Sequence, residues 1–387
     1  MKIAVPKELK DRENRVALSP DTIKELTDNG FVCIIEKDAG LKSFFSNEAY
    51  AEAGGILTED VSSMYSDADV ITKVNPPSID EVGKMKSGAV LISFLFAATN
   101  PDLINALAKQ GISSFSIDAI PRISRAQKMD ALSSQSNLAG YKAVLMAANE
   151  LGKVFPLLMT AAGTLKPSRV VIMGAGVAGL QAIATAKRLG AIVEVSDIRP
   201  ETKEQIESLG GTFIEVEMDD TVKTEGGYVK EVSADFLQKQ KEKVSEHVSK
   251  ADIVITTALI PGKKAPMLIT EEMVKSMRFG SVILDMAVEQ GGNCELSELN
   301  QTIVKYGVSI IGEANLPSKL PLNSSELFAK NISTFLYHLA DKDGFKWEMD
   351  DEITVGSLIT HKGEKVHPAV KVQETTNEPK EELPVSS

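Results

Sequence analysis

A buried strand, a glycine-rich turn and a helix follow one another between residues 169 and 188, and this succession constrains the fold most. The strand-like run RVVIM leads into the turn GAGVAG, and the helical sequence LQAIATAK follows it. In such a turn Gly174 permits a sharp bend, Gly176 lets the backbone approach a pyrophosphate, and Gly179 lets the helix pack closely on the strand. The succession predicts a doubly wound α/β unit that binds a dinucleotide at the amino end of the helix.

The next strand-like run ends at an acidic residue, Asp197, 18 residues beyond Gly179. A carboxylate at this distance is expected to accept hydrogen bonds from the adenosine ribose and to repel a 2′-phosphate. Arg199 lies two residues further on and favours the opposite choice, NADP. The carboxylate favours NAD(H), and a domain of the same fold without any nucleotide is the alternative.

Short apolar runs alternate with amphipathic helical patterns on both sides of this motif. Such alternation is typical of mostly parallel sheets covered by helices. We therefore predict an α/β protein with two Rossmann-like, doubly wound parallel-sheet domains and NAD(H) in the cleft between them. The expected strands are Ile3–Val5, Val32–Ile35, Asp69–Val74, Val90–Phe96, Ile112–Ile117, Val170–Met173, Ile192–Ser196, Thr212–Val216, Ile253–Thr256, Val282–Leu284 and Val308–Ile311.

The domain bounds follow from the two alternating blocks. The NAD(H)-binding domain is expected over residues 131–314. Residues 1–130 plus 315–372 are expected to form the other domain. The helical pattern Ser324–Ala340 is expected to return to it, because the sequence has no third block long enough to form a core of its own. The polar, Glu- and Pro-rich tail, residues 373–387, is expected to be disordered.

Charge and cysteine content exclude several classes of function. The formal net charge of −12 argues against a nucleic acid or an anionic membrane surface as a direct ligand. Cys33 and Cys294 form no CxxC pair, so neither a disulfide framework nor a thiolate metal site is expected. The longest apolar run, Ala89–Ala98, is about half of the roughly 20 residues that span a bilayer, and no signal-peptide pattern is present. We expect a chain that reaches a membrane only through partners.

A polar segment, residues 121–141, lies at the junction of the two blocks and opens a long helical pattern that extends to Leu151. Many of its side chains form hydrogen bonds without being simple surface charges. The segment is interpreted either as a ligand-contacting loop or as the solvated first turn of a connecting helix.

Several segments resemble one known family. They are RISRAQKMDALSSQSNLAGYKAV, LMTAAGTLKPSRVVIMGAGVAGLQAIATAKRLGA, TTALIPGKKAPMLIT, NRVALSP and EQGGNC. Over residues 1 to about 370 the chain resembles the NAD(H)-binding component of proton-translocating transhydrogenases, in the superfamily that includes alanine dehydrogenase. The chain looks like the split bacterial form, in which this component is a separate polypeptide of the alpha subunit.

The resemblance implies an activity and a set of partners. NAD(H) on this chain would exchange hydride with NADP(H) on a beta subunit, and the exchange would be coupled to proton movement through membrane helices of other chains. The family also suggests a homodimer, a second, membrane-embedded polypeptide of the alpha subunit and a cytoplasmic position at the inner membrane. No nucleic acid and no metal are implied.

The resemblance also implies site residues. The loop positions matching contacts to the nicotinamide and its ribose are Arg122, Gln127, Asp130 and Ser133. The positions matching other NAD contacts are Val177, Asp197, Ile198, Arg199, Gly227 and Leu259. Residues 225–228, which include Tyr228, match a mobile loop that closes over the nucleotide, and the charged segment around them is typical of a surface lid.

A soluble alanine dehydrogenase is the sharpest alternative. Arg15 and Lys73 stand where that enzyme binds the substrate carboxylate and carbonyl, but Phe96 or Phe94 falls where its histidine should be. The Asp of the family's Asp-Gln-Gly-Gly sequence is Glu289 here. Amine oxidation needs a general acid–base, whereas hydride exchange between two nicotinamides needs only approach and orientation. A non-catalytic NAD sensor is a third interpretation.

Overall fold

The computed structural model describes residues 1–216, 223–225, 228–231, 234–260 and 263–370. The chain divides into two compact units, one of residues 1–135 with those from Pro321 onward, the other Ser136–Leu320. The domain bounds expected from the sequence, at 130/131 and 314/315, stay a prediction. The tail expected to be disordered lies outside the described residues.

The first unit begins with a regular alternation of strands and helices. Its strands are β1 (Lys2–Val5), β2 (Val32–Glu36), β3 (Ile56–Thr58), β4 (Val70–Thr72), β5 (Val90–Ser93) and β6 (Ser113–Ser116). Its helices are α1 (Pro20–Asp28), α2 (Asn47–Glu52), α3 (Val61–Asp67), α4 (Ile79–Lys84) and α5 (Pro101–Gln110). Local chemistry sets the start of α1, where Ser19 caps the helix and Pro20 occupies its first turn.

A long helix, α6 (Ala131–Glu150), leads into the second unit. The strands that follow are β7 (Leu158–Thr160), β8 (Gly163–Leu165), β9 (Arg169–Met173), β10 (Ile192–Ser196), β11 (Thr212–Phe213), β12 (Lys223–Glu225), β13 (Tyr228–Glu231), β14 (Ile253–Thr256), β15 (Val282–Asp285), β16 (Gln301–Lys305) and β17 (Val308–Gly312). The helices are α7 (Val177–Arg188), α8 (Lys203–Ser208), α9 (Ala234–Val248) and α10 (Glu271–Ser276).

The chain then returns to the first unit through a long helix. The remaining elements are α11 (Pro321–Leu339), β18 (Ala340–Asp341), β19 (Gly344–Phe345), α12 (Glu352–Ser357), β20 (Leu358–His361) and β21 (Glu364–Lys365). Phe328 and Phe335 of α11 are fully buried, with ring centroids 5.4 Å from Phe94 and 5.6 Å from Phe115. The core of the first unit therefore includes a helix from the far end of the sequence.

Both units contain a doubly wound sheet of the same order. In the first unit the order is β3-β2-β1-β4-β5-β6, extended by antiparallel β20 and β21. In the second it is β11-β10-β9-β14-β15-β17, with β16 antiparallel at the edge. The predicted fold class of two Rossmann-like parallel sheets is confirmed. The cleft between the two domains stays a prediction.

The strand order places a crevice in each sheet. Strand order reverses between β9 and β14 in the second unit and between β1 and β4 in the first. Ligands of open α/β sheets bind outside the carboxyl ends of the strands at such reversals. Ligand-binding sites are therefore expected at the turns after β9 and β14 and at the segments after β1 and β4.

The described part of the chain contains no helix long and apolar enough to cross a membrane.

Candidate functional site

The glycine-rich turn joins the carboxyl end of β9 to the first turn of α7. Gly174 has a φ of 102°, which favours glycine, and a Cβ there would lie 2.5 Å from the Thr257 hydroxyl oxygen. A Cβ on Gly179 would lie 1.9 Å from the carbonyl oxygen of Gly174. Gly179 therefore allows α7 to pack closely against the turn, and Gly174 allows the turn to approach Thr257.

Gly176 has a different environment. It caps the amino end of α7 with an extended backbone, and no side chain caps the helix there. An ideal Cβ on Gly176 would meet no atom of the described residues within 4 Å. The first-turn N–H groups of a helix lack partners within the helix and favour an anion, and Val177 beside them is exposed. The geometry suits a phosphate group.

Asp197 follows β10 and faces the same turn. Its side chain is only 4% exposed, and Oδ2 accepts a hydrogen bond of 2.7 Å from the backbone N–H of Ala175. Oδ1 accepts from the backbone N–H of Arg199 at 2.8 Å and from its Nε at 2.9 Å, while Nη2 of Arg199 donates to Oδ2 at 2.9 Å. The carboxylate thus holds the glycine-rich turn and forms a bidentate ion pair with Arg199.

A cavity of about 180 Å³ lies beside Asp197, where β10 and β11 end. Its walls include the apolar side chains of Ile198, Pro200, Phe213 and Ile214, together with an ion pair between Lys203 and Glu215. A pocket that combines apolar walls with several polar groups suits a flat heteroaromatic base.

The loop after β14 closes the other side of the turn. The Thr257 hydroxyl donates to the carbonyl oxygens of Met173 and Gly174, each at 3.1 Å. The side-chain amide of buried Asn293 accepts from the N–H of Ala258 at 3.1 Å and donates to its carbonyl oxygen at 2.9 Å. Leu259, the next residue, is exposed. Two residues that the sequence reasoning had not singled out thus fix this loop.

A fully buried carboxylate at the end of β15 organises the segment that carries Asn293. Asp285 accepts from the backbone N–H groups of Ala287, Asn293 and Cys294 at 2.8–3.0 Å. It also accepts from the hydroxyls of Thr256 at 3.1 Å and Ser297 at 2.7 Å. The EQGGNC sequence was a signal for this segment, but Asp285 lies four residues before it.

In the first unit, the loop predicted to contact the nicotinamide runs into α6. Arg122 and Gln127 are exposed, and Asp130 stands immediately before the helix. The Asp130 carboxylate accepts from the backbone N–H of Ser133 at 2.9 Å and from its hydroxyl at 2.6 Å. Asp130 and Ser133 therefore form an amino-terminal cap, which is the second interpretation of this segment. A cap and a ligand contact are compatible roles.

Contacts from the carboxyl-terminal segments of the first unit hold this loop. The Asn331 side chain in α11 donates to the carbonyl oxygen of Lys128 at 2.9 Å and accepts from the Ser134 hydroxyl at 2.7 Å. Arg125 forms an ion pair of 2.8 Å with Asp351. Burial opposes ionisation of Asp351, but backbone hydrogen bonds, Arg125 and His338 outweigh it and lower its pKa to about 2. The loop is anchored on both sides of Gln127.

The predicted residues divide between the two units. The first unit contains Arg122, Gln127, Asp130 and Ser133. The second unit contains the glycine-rich turn, Asp197, Ile198, Arg199 and Leu259. Gly227 lies outside the described residues. Tyr228 is the first residue of β13, which pairs antiparallel with β12. Closure of this segment over a nucleotide stays a prediction.

Arg15 and Lys73 belong to a buried ionic cluster after β1 and β4. The Arg15 guanidinium forms a bidentate pair with Glu13 at 2.7–2.8 Å and also donates to Gln135 at 2.9 Å. Lys73 contacts Glu81 at 2.6 Å. Burial opposes ionisation of both glutamates, but the facing cations outweigh it and lower both pKa values. Each cation is thus neutralised by a carboxylate of the same unit.

Phe94 and Phe96 occupy the place where an alanine dehydrogenase is expected to carry its histidine. Their rings stack with centroids 5.6 Å apart. The expected strand Val90–Phe96 was wrong at its end, because β5 stops at Ser93 and Phe96 has a φ of 45°. The Asp118 carboxylate accepts from the N–H groups of Leu95 and Phe96, which turns the chain away from the sheet.

The pKa of Glu13 gives a prediction for stability at acid pH. That pKa falls from 4.5 to about 2 on folding, so ionised Glu13 contributes stability above pH 4.5. The contribution, about 3 kcal/mol, is lost as the pH falls from 4.5 towards 2. Urea unfolding at several pH values should show a shallower acid loss in Glu13→Gln, while Glu52→Gln, at an exposed site, should keep the wild-type slope. Equal slopes in all three proteins would contradict this assignment.

Comparisons with known proteins extend these observations. The family model "Alanine dehydrogenase/PNT, N-terminal domain" matches residues 4–139, and "Alanine dehydrogenase/PNT, C-terminal domain" matches residues 143–368. The chain is 50% identical over 382 residues to a relative from Rhodospirillum rubrum, which is named as the first part of NAD(P) transhydrogenase subunit alpha. The match covers 96% of this chain and 100% of the relative. The resemblance identified from the sequence is confirmed.

Two solved structures have similar folds. A transhydrogenase from Sinorhizobium meliloti matches with a TM-score of 0.87 and 43% identity, over 95% of this chain and 100% of that one. An L-alanine dehydrogenase matches with a TM-score of 0.83 and 28% identity, over 97% and 99% of the two chains. The fold is shared by both activities, so the side chains must distinguish them.

Proposed function

Because the chain belongs to the alanine dehydrogenase/PNT family, we propose that it is the NAD(H)-binding subunit of a proton-translocating NAD(P) transhydrogenase. In this role NAD(H) on this chain exchanges hydride with NADP(H) on a partner subunit, and the exchange is coupled to proton movement across a membrane. The observation that carries the proposal is the full-length match to a separate alpha-subunit polypeptide of a transhydrogenase. The chain would work as a homodimer with a membrane subunit and a beta subunit, on the cytoplasmic side of the inner membrane.

The second unit suits the adenosine diphosphate end of NAD(H). The open space at Gly176 and the uncapped first turn of α7 fit the pyrophosphate. The apolar cavity fits the adenine, and Asp197 lies between the two where the adenosine ribose would sit. We assign the borders of these nucleotide positions to Val177, Ile198 and Leu259. Asp197 and Arg199 are already paired, so the choice between NAD(H) and NADP(H) depends on how that pair responds to the ribose.

The loop around Gln127 is assigned to the nicotinamide end. When bound, the nicotinamide ring supplies or accepts the hydride. The chain's own task is to hold that ring in one orientation for a second ring on the partner. Arg122 and Gln127 have exposed side chains on an anchored backbone, which suits positioning, while Asp130 and Ser133 hold each other at the start of α6. No general base is needed at this site.

An alanine dehydrogenase is the second candidate, and the positions of Arg15 and Lys73 favour it. Three observations weigh against that activity. The cations are neutralised by Glu13 and Glu81, and the expected histidine is absent from the sequence at its place. Phe94 and Phe96 stand at that place instead, and their rings stack on each other. A substrate carboxylate would have to displace a buried carboxylate from Arg15.

One pair of assays separates the candidates. The purified chain mixed with an NADP(H)-loaded beta-subunit domain should catalyse transfer between NADH and an NADP analogue. The same chain should show little NAD reduction with alanine. Robust alanine-dependent reduction would overturn the proposal, and NADH binding without transfer to any loaded partner would support the sensor interpretation instead.

Substitution of Gln127 tests the positioning role. Gln127→Ala is expected to lower the rate of hydride transfer by roughly ten- to a hundredfold while changing NADH affinity about twofold or less, because orientation of the ring is its task. Single-turnover rates and NADH titrations measure the two quantities. Lys128→Ala is the matched control, since this neighbouring side chain is also exposed and its backbone carbonyl, which anchors the loop, is kept. A loss of affinity alone would reject the role.

A further inference from the structure

The Asp197 carboxylate is nearly buried and accepts hydrogen bonds from four donors. A carboxylate offers about four lone-pair sites. Four donors occupy them here: the backbone N–H groups of Ala175 and Arg199, and the Nε and Nη2 groups of the Arg199 side chain. With only 4% of its side chain exposed, Asp197 presents little surface to a further donor. A ribose hydroxyl therefore competes with these donors for the carboxylate.

The two backbone donors are held in place. The N–H of Ala175 belongs to the glycine-rich turn, whose neighbour Gly174 donates to the carbonyl oxygen of Ser196 at 2.8 Å. The carbonyl oxygen of Arg199 accepts from the hydroxyl of Thr202 at 2.7 Å, which fixes the peptide after β10. The Arg199 side chain lies on a flexible stem and is 22% exposed. Only its two donors can leave without a change in the backbone.

The number of donors that can leave equals the number that a ribose brings. An unmodified adenosine ribose presents a 2′-hydroxyl and a 3′-hydroxyl, which can replace Nε and Nη2 one for one. A 2′-phosphate cannot donate in this way and carries negative charge towards Asp197. The guanidinium would then pair with the phosphate, because arginine matches phosphate oxygens in a bidentate geometry. The same side chain therefore opposes one nucleotide and assists the other.

We propose that Arg199 competes with the adenosine ribose for Asp197 and in this way sets the margin by which the chain prefers NADH over NADPH. The inference rests on the proposed function, since it assumes that this site binds a nicotinamide nucleotide. Arg199 weakens NADH binding, because the ion pair must open before the ribose is held. Arg199 also strengthens the binding of NADPH, because it neutralises Asp197 and can pair with the 2′-phosphate.

Nucleotide titrations of four proteins test the competition. The proteins are the wild type, Arg199→Met, Asp197→Asn and the double variant, each titrated with NADH and NADPH and checked for an unchanged Tm. Arg199→Met keeps the length of the side chain but removes its donors and charge. It is expected to bind NADH roughly three- to tenfold more tightly and NADPH about tenfold more weakly. Arg199→Lys keeps the charge but not the planar guanidinium, so its affinities for both nucleotides should fall between those of the wild type and Arg199→Met. It replaces Arg199→Met if that variant does not fold.

The double variant isolates the role of the pair. Asp197→Asn should weaken NADH binding about tenfold and tighten NADPH binding, because Arg199 then faces the phosphate without a competing carboxylate. The gain for NADPH should vanish in the double variant. Equal or weaker NADH binding by Arg199→Met, or an NADPH gain that survives without Arg199, would overturn the competition while leaving nucleotide binding intact. If none of the four proteins binds either nucleotide, the proposed function itself fails.

Discussion

Gly179→Ala is expected to remove NADH binding by destabilising the second unit, with a loss of about 3 kcal/mol or more in the free energy of unfolding. The new Cβ would lie 1.9 Å from the carbonyl oxygen of Gly174, a backbone atom that cannot move without displacing the turn. Relief would separate α7 from β9, an interior strand of this sheet that pairs with β10 and β14. Urea unfolding followed by circular dichroism gives the loss, and NADH titration gives the binding.

Gly176→Ala, three residues away in the same turn, is the matched control for that experiment. An ideal Cβ on Gly176 meets no atom of the described residues within 4 Å, and its φ of −74° is open to any residue. This variant should therefore keep the wild-type Tm yet bind NADH at least about tenfold more weakly, because the methyl group occupies the space assigned to the pyrophosphate. If Gly176→Ala binds NADH with wild-type affinity, the assignment of the pyrophosphate to this position is wrong.

Asp285→Ala is expected to destabilise the second unit strongly, although Asp285 lies outside the glycine-rich turn. Five donors converge on this buried carboxylate, three of them backbone N–H groups that would be left without an acceptor. Breaking such a buried network costs about 3–5 kcal/mol, and it also releases Asn293 from the loop after β14. Urea unfolding measures the loss.

Glu289→Gln provides the control for Asp285→Ala. Glu289 lies in the adjoining segment but is exposed, so its substitution should change the free energy of unfolding by no more than about 0.5 kcal/mol. A tolerated Asp285→Ala, with NADH affinity unchanged, would mean that the segment around Asn293 holds its conformation without the carboxylate. The positioning role of that segment would then be excluded.

Buried parallel strands could be predicted from the sequence because each is a short run of apolar, β-branched residues. Ile192–Ser196 and Ile253–Thr256 were predicted with the bounds that the structure shows. Strands with exposed side chains gave no such pattern. β16 lies at a sheet edge with a mostly exposed sequence, and the hairpin of β7 and β8 is exposed throughout, so neither was predicted. Burial, rather than strand propensity, made the difference.

In the candidate site, features set by local sequence could be predicted, whereas contacts between distant side chains could not. The glycine-rich turn was predictable because most of its requirements are local, a positive φ at Gly174 and the close approach of Gly179 to the Gly174 carbonyl oxygen. The role of Asp285 was not, because its donors come from Thr256 and from residues 287–297, which only folding brings together around the carboxylate. Asp197 and Arg199 were both singled out, but their pairing depends on a side-chain conformation that spacing alone does not determine.

The place of α11 in the first core has a consequence for the order in which the chain becomes structured on the ribosome. The second unit is continuous in sequence and has all its residues once Leu320 has been synthesised. The first unit, although it contains the amino terminus, lacks Phe328, Phe335 and the rest of α11 until later. Domains generally fold as units as they emerge. Here the half that is translated first is the half that completes its core last.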